Sequence, residues 1–272
     1  MILEDNNRVH IVGAGPAGSF FALCLLDQAE KAGKKIEITL IDRRIAEEAG
    51  PRSWTFKGCN FCAGVISPRL CRSLEKFGVT LPQTVISQEF THVWIHGMWK
   101  NFPLKVPPNQ HLCSVFRGSL PPDRGPEASG LDEFLLEQAL NSGALLLPGR
   151  VESIRYRADQ RPQLDVRLPS GRNRTVDTDL ACLATGVNFF RRTPFEKNSL
   201  FESYRTLNPD FQPPPVRPAL VTELKPGKAF LKKYMDKELH LIVSGSDKLL
   251  IDHAALVPKG DMLTIALTGK SI

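Results

Sequence analysis

No run of eighteen apolar residues occurs in this sequence, so a membrane-spanning helix is not expected. Met1 to Asn7 lacks both the basic start and the apolar stretch of a secretory signal. A soluble, cytoplasmic protein is therefore expected, and nothing in the sequence indicates a membrane surface as partner. Blocks of like charge are also missing. The basic residues fall as Lys34-Lys35, Arg43-Arg44, Arg172-Asn173-Arg174, Arg191-Arg192 and Lys232-Lys233, and the net charge is +6. Without an aromatic-interleaved basic stripe, this scatter suits phosphate-bearing or acidic small ligands and argues against nucleic acid. Internal repeats and heptads are absent, and oligomeric state is not legible. What is present is an ordinary globular balance, 42% apolar and 24% charged over 272 residues, enough for one large domain or two ordinary ones.

Six cysteines (24, 59, 62, 71, 113 and 182) without an export signal are expected to be reduced thiols, not a disulfide framework. Cys24 and Cys182 lie in apolar runs and read as inert core residues. Only Cys59 and Cys62 have a spacing that suggests chemistry.

Arg8 to Val12 reads as a short buried strand, followed at once by Gly13-Ala14-Gly15-Pro16-Ala17-Gly18 and an apolar stretch of helical character. Gly13 permits the strand-to-helix turn, Gly15 lets the backbone approach a pyrophosphate, and Gly18 lets the helix pack on the strand. The helix N-terminus then offers free N–H groups to the anion. A second strand, Ile36 to Ile41, ends in Asp42, twenty-four positions past Gly18 and suited to ribose hydroxyls. Arg43 and Arg44 could receive a 2′-phosphate, flank an adenine or face solvent. Further along, a strand-like run from Asp179 ends in Ala184-Thr185-Gly186, and no second G-x-G-x-x-G follows.

That Ala-Thr-Gly segment resembles the ATG motif of flavoproteins of the glutathione-reductase structural class. Val115-Phe116-Arg117 with the helical run from Leu131 to Leu140 resembles a segment of the geranylgeranyl-reductase and aromatic-hydroxylase families, in which the arginine lies near the flavin. The loop Cys59 to Ser67 and the run His253 to Gly269, with its Pro-Lys-Gly turn, are similar to parts of the reductases. The resemblance implies an α/β fold: a Rossmann-like FAD-binding domain with a parallel sheet, and an α+β substrate domain on an antiparallel sheet. It implies a discontinuous FAD domain (1–60 and 113–190), with 61–112 and 191–272 as substrate domain. FAD would be held by Gly13 to Gly18, Asp42, Arg43, Arg44, Arg117, Val151, Thr185 and Gly186, with NAD(P)H as electron donor. The reaction implied is hydride transfer to an apolar, isoprenoid-like substrate. The alternatives are a flavin monooxygenase and a non-catalytic flavin-binding or split-gene fragment. These families carry a second fingerprint, a strand ending in Gly-Asp that opens a helix. The Gly260-Asp261 pair sits in a turn instead, and the sequence is expected to stop before that motif.

Cys59 and Cys62 are the candidate catalytic residues, with three readings open: a redox pair, a metal site completed by Cys71 or Cys113, or small apolar fillers of an active-site wall. No second C-x-x-C and no suitable histidine pair supports the metal, so none is expected. His92 and His96 read as one face of a strand spanning Thr91 to Trp99. Phe90, Trp94, Trp99 and Phe102 read as sheet packing.

Overall fold

The computed structural model describes residues 2–47, 54–125, 127–186, 199–212, 215–245 and 250–270. Arg191-Arg192 and the Pro213-Pro214 part of a proline-rich linker lie outside them. The chain divides into two compact units, Met1–Gly58 with Asp132–Pro214, and Cys59–Leu131 with Pro215–Ile272. The Arg117 segment thus clusters with the second unit.

The chain opens with β1 (Arg8–Val12), α1 (Pro16–Lys31), β2 (Glu37–Asp42), β3 (Ile45–Glu47) and β4 (Trp54–Phe56). There follow β5 (Val65–Ile66), α2 (Pro68–Glu75), β6 (Ile86–Glu89), β7 (His92–His96), β8 (Asn101–Lys105) and β9 (Cys113–Val115). Next come α3 (Leu131–Asn141), β10 (Leu145–Pro148), β11 (Arg150–Tyr156), β12 (Pro162–Arg167), β13 (Asn173–Asp177), β14 (Leu180–Leu183) and α4 (Ser199–Leu207). The last elements are β15 (Ala219–Leu224), α5 (Lys228–Met235), β16 (Glu238–Val243), β17 (Ile251–Lys259) and β18 (Met262–Gly269).

The first unit is built on a parallel sheet of order β10-β2-β1-β14. Its two central strands are buried along nearly their whole length, which is why they read as continuous apolar runs without alternation. Gly18 of α1 lies against Ile11 on one face. On the other, Val12 and Ile41 join Val151, Ile154, Leu164, Val166 and Val176 of the antiparallel β11-β12-β13 sheet, closed by Leu200 of α4. The register pairs Val12 with Ile41 and with Leu183, so β1, β2 and β14 end side by side. Ligand sites of open parallel sheets lie outside these carboxyl ends.

The second unit carries an antiparallel-rich sheet of order β15-β18-β17-β16-β7-β8 and a small β5-β9-β6 sheet. Phe90, Leu239 and Val257 are buried with Ala63, Val65 and Leu112 on one face of the large sheet, and α5 lays Leu231 and Met235 against Leu263 on the other. The β17–β18 turn is Gly260-Asp261, with Gly260 at φ +74° and Lys259 paired with Met262. A positive φ at the first central position alone is the signature of a type II′ hairpin, so this Gly-Asp is structural. β7 is shorter than the sequence suggests. It ends at His96 because Gly97 turns the chain, its N–H donating to the Lys100 carbonyl at 3.0 Å. Trp99, expected in sheet packing, is consequently 87% exposed at this turn, and Phe102 is also exposed.

Candidate functional site

The three glycines of the first turn meet different surroundings. Gly13 has φ +112°, and a Cβ there would lie 2.3 Å from the Ala184 carbonyl oxygen. A Cβ on Gly18 would lie 1.9 Å from the Gly13 carbonyl oxygen. These two are required by the packing of the chain on itself. Gly15 is not: its nearest neighbour would be the Arg44 guanidinium at 3.5 Å, an ordinary contact. The middle glycine therefore leaves room in front of the helix, where an anion can approach the first N–H groups of α1.

Asp42, at the tip of β2, is buried, and its carboxylate is fully occupied. It accepts the Ala14 N–H at 2.9 Å, the Arg44 N–H at 2.8 Å and the Arg44 guanidinium at 3.0 Å. Four donors fill the four lone-pair positions once the longer Arg44 Nε contact at 3.3 Å is included. The Arg44 guanidinium also stacks on Phe56, 4.7 Å from the ring centroid. Arg44 thus caps the glycine turn with a positive charge, whereas Arg43 is exposed. Gly13 receives the Ala184 backbone because Ala184 N–H donates to Val12 O at 2.8 Å, continuing the β1–β14 ladder into Thr185 and Gly186. Gly186 has φ +75°. Pro16 and Ala17 form the first helical turn of α1. The Val151 side chain is buried in the core beside Val12 and Ile41, the residues that precede Gly13 and Asp42.

In the second unit, the Cys59–Gly64 loop is fastened to the segment that bears Arg117. Asn60 accepts the Gly118 N–H at 2.7 Å and donates to the Ser119 carbonyl at 2.7 Å, and the Gly64 carbonyl accepts the Val115 N–H at 2.8 Å. Gly64 has φ +71°, and a Cβ there would sit 2.2 Å from the Val115 carbonyl oxygen. Cys62 Sγ accepts the Gly64 N–H at 3.1 Å, and Cys59, Cys62 and Arg117 are all half-buried. Among the described residues, no group of three or more His, Cys, Asp or Glu side chains could hold a metal ion.

Three features are not apparent from the sequence. Lys259 is 2% exposed, with its ammonium 4.7 Å above the Phe116 ring and 3.6 Å from Glu223, to which the Thr264 hydroxyl donates at 3.3 Å. Burial lowers its pKa, and Glu223 and Cys62 oppose that shift. The signal was the alternation of β17, which puts Lys259 on the same face as the buried Val257. Glu223→Gln should leave this ammonium unbalanced and lower stability by about 1–2 kcal/mol in urea unfolding at neutral pH. Adding Lys259→Met should recover most of the loss; a double variant no more stable than the single one would place the loss elsewhere. His96 and His240 form the second feature, their Nε2 and Nδ1 atoms 2.9 Å apart across the parallel β7–β16 pair. The third is the buried Cys71 thiol, which donates to the His111 carbonyl oxygen at 3.6 Å. Cys24 and Cys182, expected as inert, are half-buried, and burial raises the pKa of both.

The parallel sheet, the glycine turn and the accompanying antiparallel sheets define the FAD-binding Rossmann-like fold, and the solved structures that resemble this chain carry it. One is a flavoprotein/dehydrogenase from Cytophaga hutchinsonii, with 14% identity and a TM-score of 0.59 over 96% of this chain and 55% of that one. Another is BrvH, a flavin-dependent halogenase from Brevundimonas sp. BAL3, at 14% identity and a TM-score of 0.59, covering 97% of this chain and 57% of that one. A third is 2-methyl-3-hydroxypyridine-5-carboxylic acid oxygenase, at 15% identity and a TM-score of 0.52, covering 97% and 59%. At these identities the likeness is one of fold, and the chain spans less than two thirds of each neighbour. No family model and no curated protein matches the sequence. No described helix is long and apolar enough to cross a membrane.

Proposed function

We propose that this chain binds FAD and serves an FAD-dependent oxidoreductase, moving a hydride between the flavin and an apolar, isoprenoid-like substrate, with NAD(P)H as electron donor. The observation that carries the reading is the open space at Gly15 between two glycines that have none. Packing explains Gly13 and Gly18, and an approaching ligand accounts for the clearance at the middle position. In this reading the α1 N-terminus meets the pyrophosphate. Arg44 leaves the Asp42 carboxylate to pair with a phosphate oxygen, and the oxygens it frees accept the ribose hydroxyls. Bound FAD would supply the two-electron chemistry, and the protein would position it and exclude water. Thr185, Gly186 and Arg117 are proposed as further FAD contacts, and the Cys59–Gly64 loop as a wall of the substrate site.

Flavin fluorescence titration tests the cradle. Gly15→Val should weaken FAD binding at least about 100-fold with little change in unfolding midpoint, because its side chain fills the place of the pyrophosphate. Arg44→Met should weaken it about 10-fold through loss of one charge-assisted contact. Unchanged affinity in Gly15→Val would sink the proposal. A second reading, flavin monooxygenase, has in its support the oxygenase among the structural neighbours. Oxygen uptake matched by hydroxylated product would select it; NAD(P)H-driven reduction of a substrate double bond without oxygen would select the reductase.

A further inference from the structure

We propose that one end of the large sheet of the second unit docks on the anionic phospholipid surface of a membrane, with Trp99 as its anchor. Six large apolar side chains are exposed there, Met98, Trp99, Phe102, Val243, Leu250 and Ile251, each between 39% and 87%. They come from three separate segments, and strand register brings them to one place. β7 and β16 run parallel and both end here, with Ile242 beside His96. β8 starts here, its Asn101 paired with His96 and its Phe102 with Ile95. β17 starts here too: Val243 pairs with His253, and Ile251 pairs with Gly269 at the end of β18. Two further contacts join the segments. A Cβ on Gly245, just past β16, would lie 3.8 Å from the Met98 Cβ, and the Lys270 N–H donates to the Leu250 carbonyl at 2.9 Å. Exposed apolar side chains scattered singly are ordinary, whereas a group at one end of a sheet marks an interaction surface.

The charges at this end select the occupant. Lys100 lies in the β7–β8 turn next to Trp99, Lys270 follows β18, and both are exposed. Arg217, just before β15, is paired with Asp252. Three cations, Lys100, Lys270 and Arg217, thus stand against one carboxylate, Asp252, among the described residues of this end. An anionic headgroup layer supplies the opposite charge. The aliphatic side chains and Phe102 can enter the acyl boundary below the headgroups, and the Trp99 indole, an apolar ring with one N–H donor, suits the headgroup level itself. The turn is ordered without a membrane, through the Gly97 N–H and the Lys100 carbonyl at 3.0 Å, so docking does not have to fix it. A second copy of the chain fits less well. Two-fold pairing of this end with itself would set Lys100 and Lys270 of two copies against each other. Continuation of the sheet past the edge strand β8 is blocked by Pro103 in its middle, which has no N–H to donate.

The full chain, with or without FAD, is mixed in low salt with vesicles of phosphatidylcholine, either alone or with about one third phosphatidylglycerol, and sedimented. Partition onto the anionic vesicles should exceed that onto the neutral ones by at least about 10-fold. Phospholipid brominated on its acyl chains should quench the tryptophan emission of the unaltered protein in the anionic vesicles. Lys100→Gln should weaken partition about 5-fold and Trp99→Ser about 10-fold or more. Phe230→Ser is the control: this aromatic is 48% exposed but lies on α5, which begins at the opposite end of the sheet, where the Gly227 N–H donates to the Asp261 carbonyl. It should partition as the unaltered protein does. Absence from the anionic vesicles, binding without quenching, or equal loss in Trp99→Ser and Phe230→Ser overturns the proposal. So does sedimentation without vesicles that Trp99→Ser abolishes, which would assign this end to a second copy. The quenching is read on the unaltered protein, so its outcome does not depend on whether a variant folds.

Discussion

Gly18→Ala should destabilise the first unit by about 4 kcal/mol or more, enough to remove most soluble folded protein. The added methyl would stand 1.9 Å from the Gly13 carbonyl oxygen and 3.1 Å from its carbonyl carbon, and neither is the end of a flexible side chain that could swing aside. Relief requires α1 to lift off β1, which separates the helix from Ile11 and displaces the turn. Gly13→Ala should be comparably damaging, because the methyl meets the Ala184 carbonyl and the φ of +112° strains any side chain. Gly15→Ala is the internal control. Its methyl meets only the Arg44 guanidinium at 3.5 Å, so stability should change by less than about 1 kcal/mol. Urea unfolding of the three variants gives the comparison, and a Gly18→Ala protein as stable as Gly15→Ala would contradict the packing described above.

Stability should also fall by about 3 kcal/mol as pH drops from 6.5 towards 4, through one side chain. His10 sits on the central strand β1 of the parallel sheet, 5% exposed, with Nδ1 buried and without a hydrogen-bond partner among the described residues. Burial, then the charges of Arg8 and Arg174, lower its pKa from 6.5 to about 4, with Asp179 opposing. The imidazole is neutral in both states above pH 6.5 and contributes no pH dependence there. Between pH 6.5 and 4 the unfolded chain takes up a proton that the folded chain refuses. Each pH unit in that window therefore costs about 1.4 kcal/mol of folding stability. Below pH 4 the folded histidine protonates too, and the loss levels off. Asp165, Asp177 and Asp179 have pKa values held below the ordinary carboxylate range, so their stabilisation is lost at lower pH. His10→Leu should flatten the urea midpoint between pH 7.5 and 4.5; an unchanged slope would assign the acid sensitivity to another group.

The glycine turn was legible because backbone geometry there tolerates only particular residues, and the strand before it and the acid after it come at set distances along the chain. The hairpin at Gly260-Asp261 was legible for the same reason: a glycine at positive φ between two apolar strands marks the turn locally. The C-x-x-C spacing of Cys59 and Cys62 stands out by proximity in sequence, whereas the approach of the Cys71 thiol to the His111 carbonyl oxygen does not, because those segments meet only where β5 pairs with β9. His240 was likewise invisible as the partner of His96, since a parallel pairing of strands far apart in sequence sets that contact.

Local order along the chain thus determined the β-α-β unit, the three glycines, the acid at the strand tip and the antiparallel hairpin. These depend on φ, on period-two burial and on short-range spacing, which a sequence carries directly. Tertiary structure decided that Arg44 occupies the acid and caps the turn, that Lys259 pairs with Glu223 above Phe116, and that His96 meets His240. Each of these depends on atoms brought together from distant segments. A local pattern can mark the face on which a charge lies, as the alternation of β17 does for Lys259, but the partner it meets there is set by that packing.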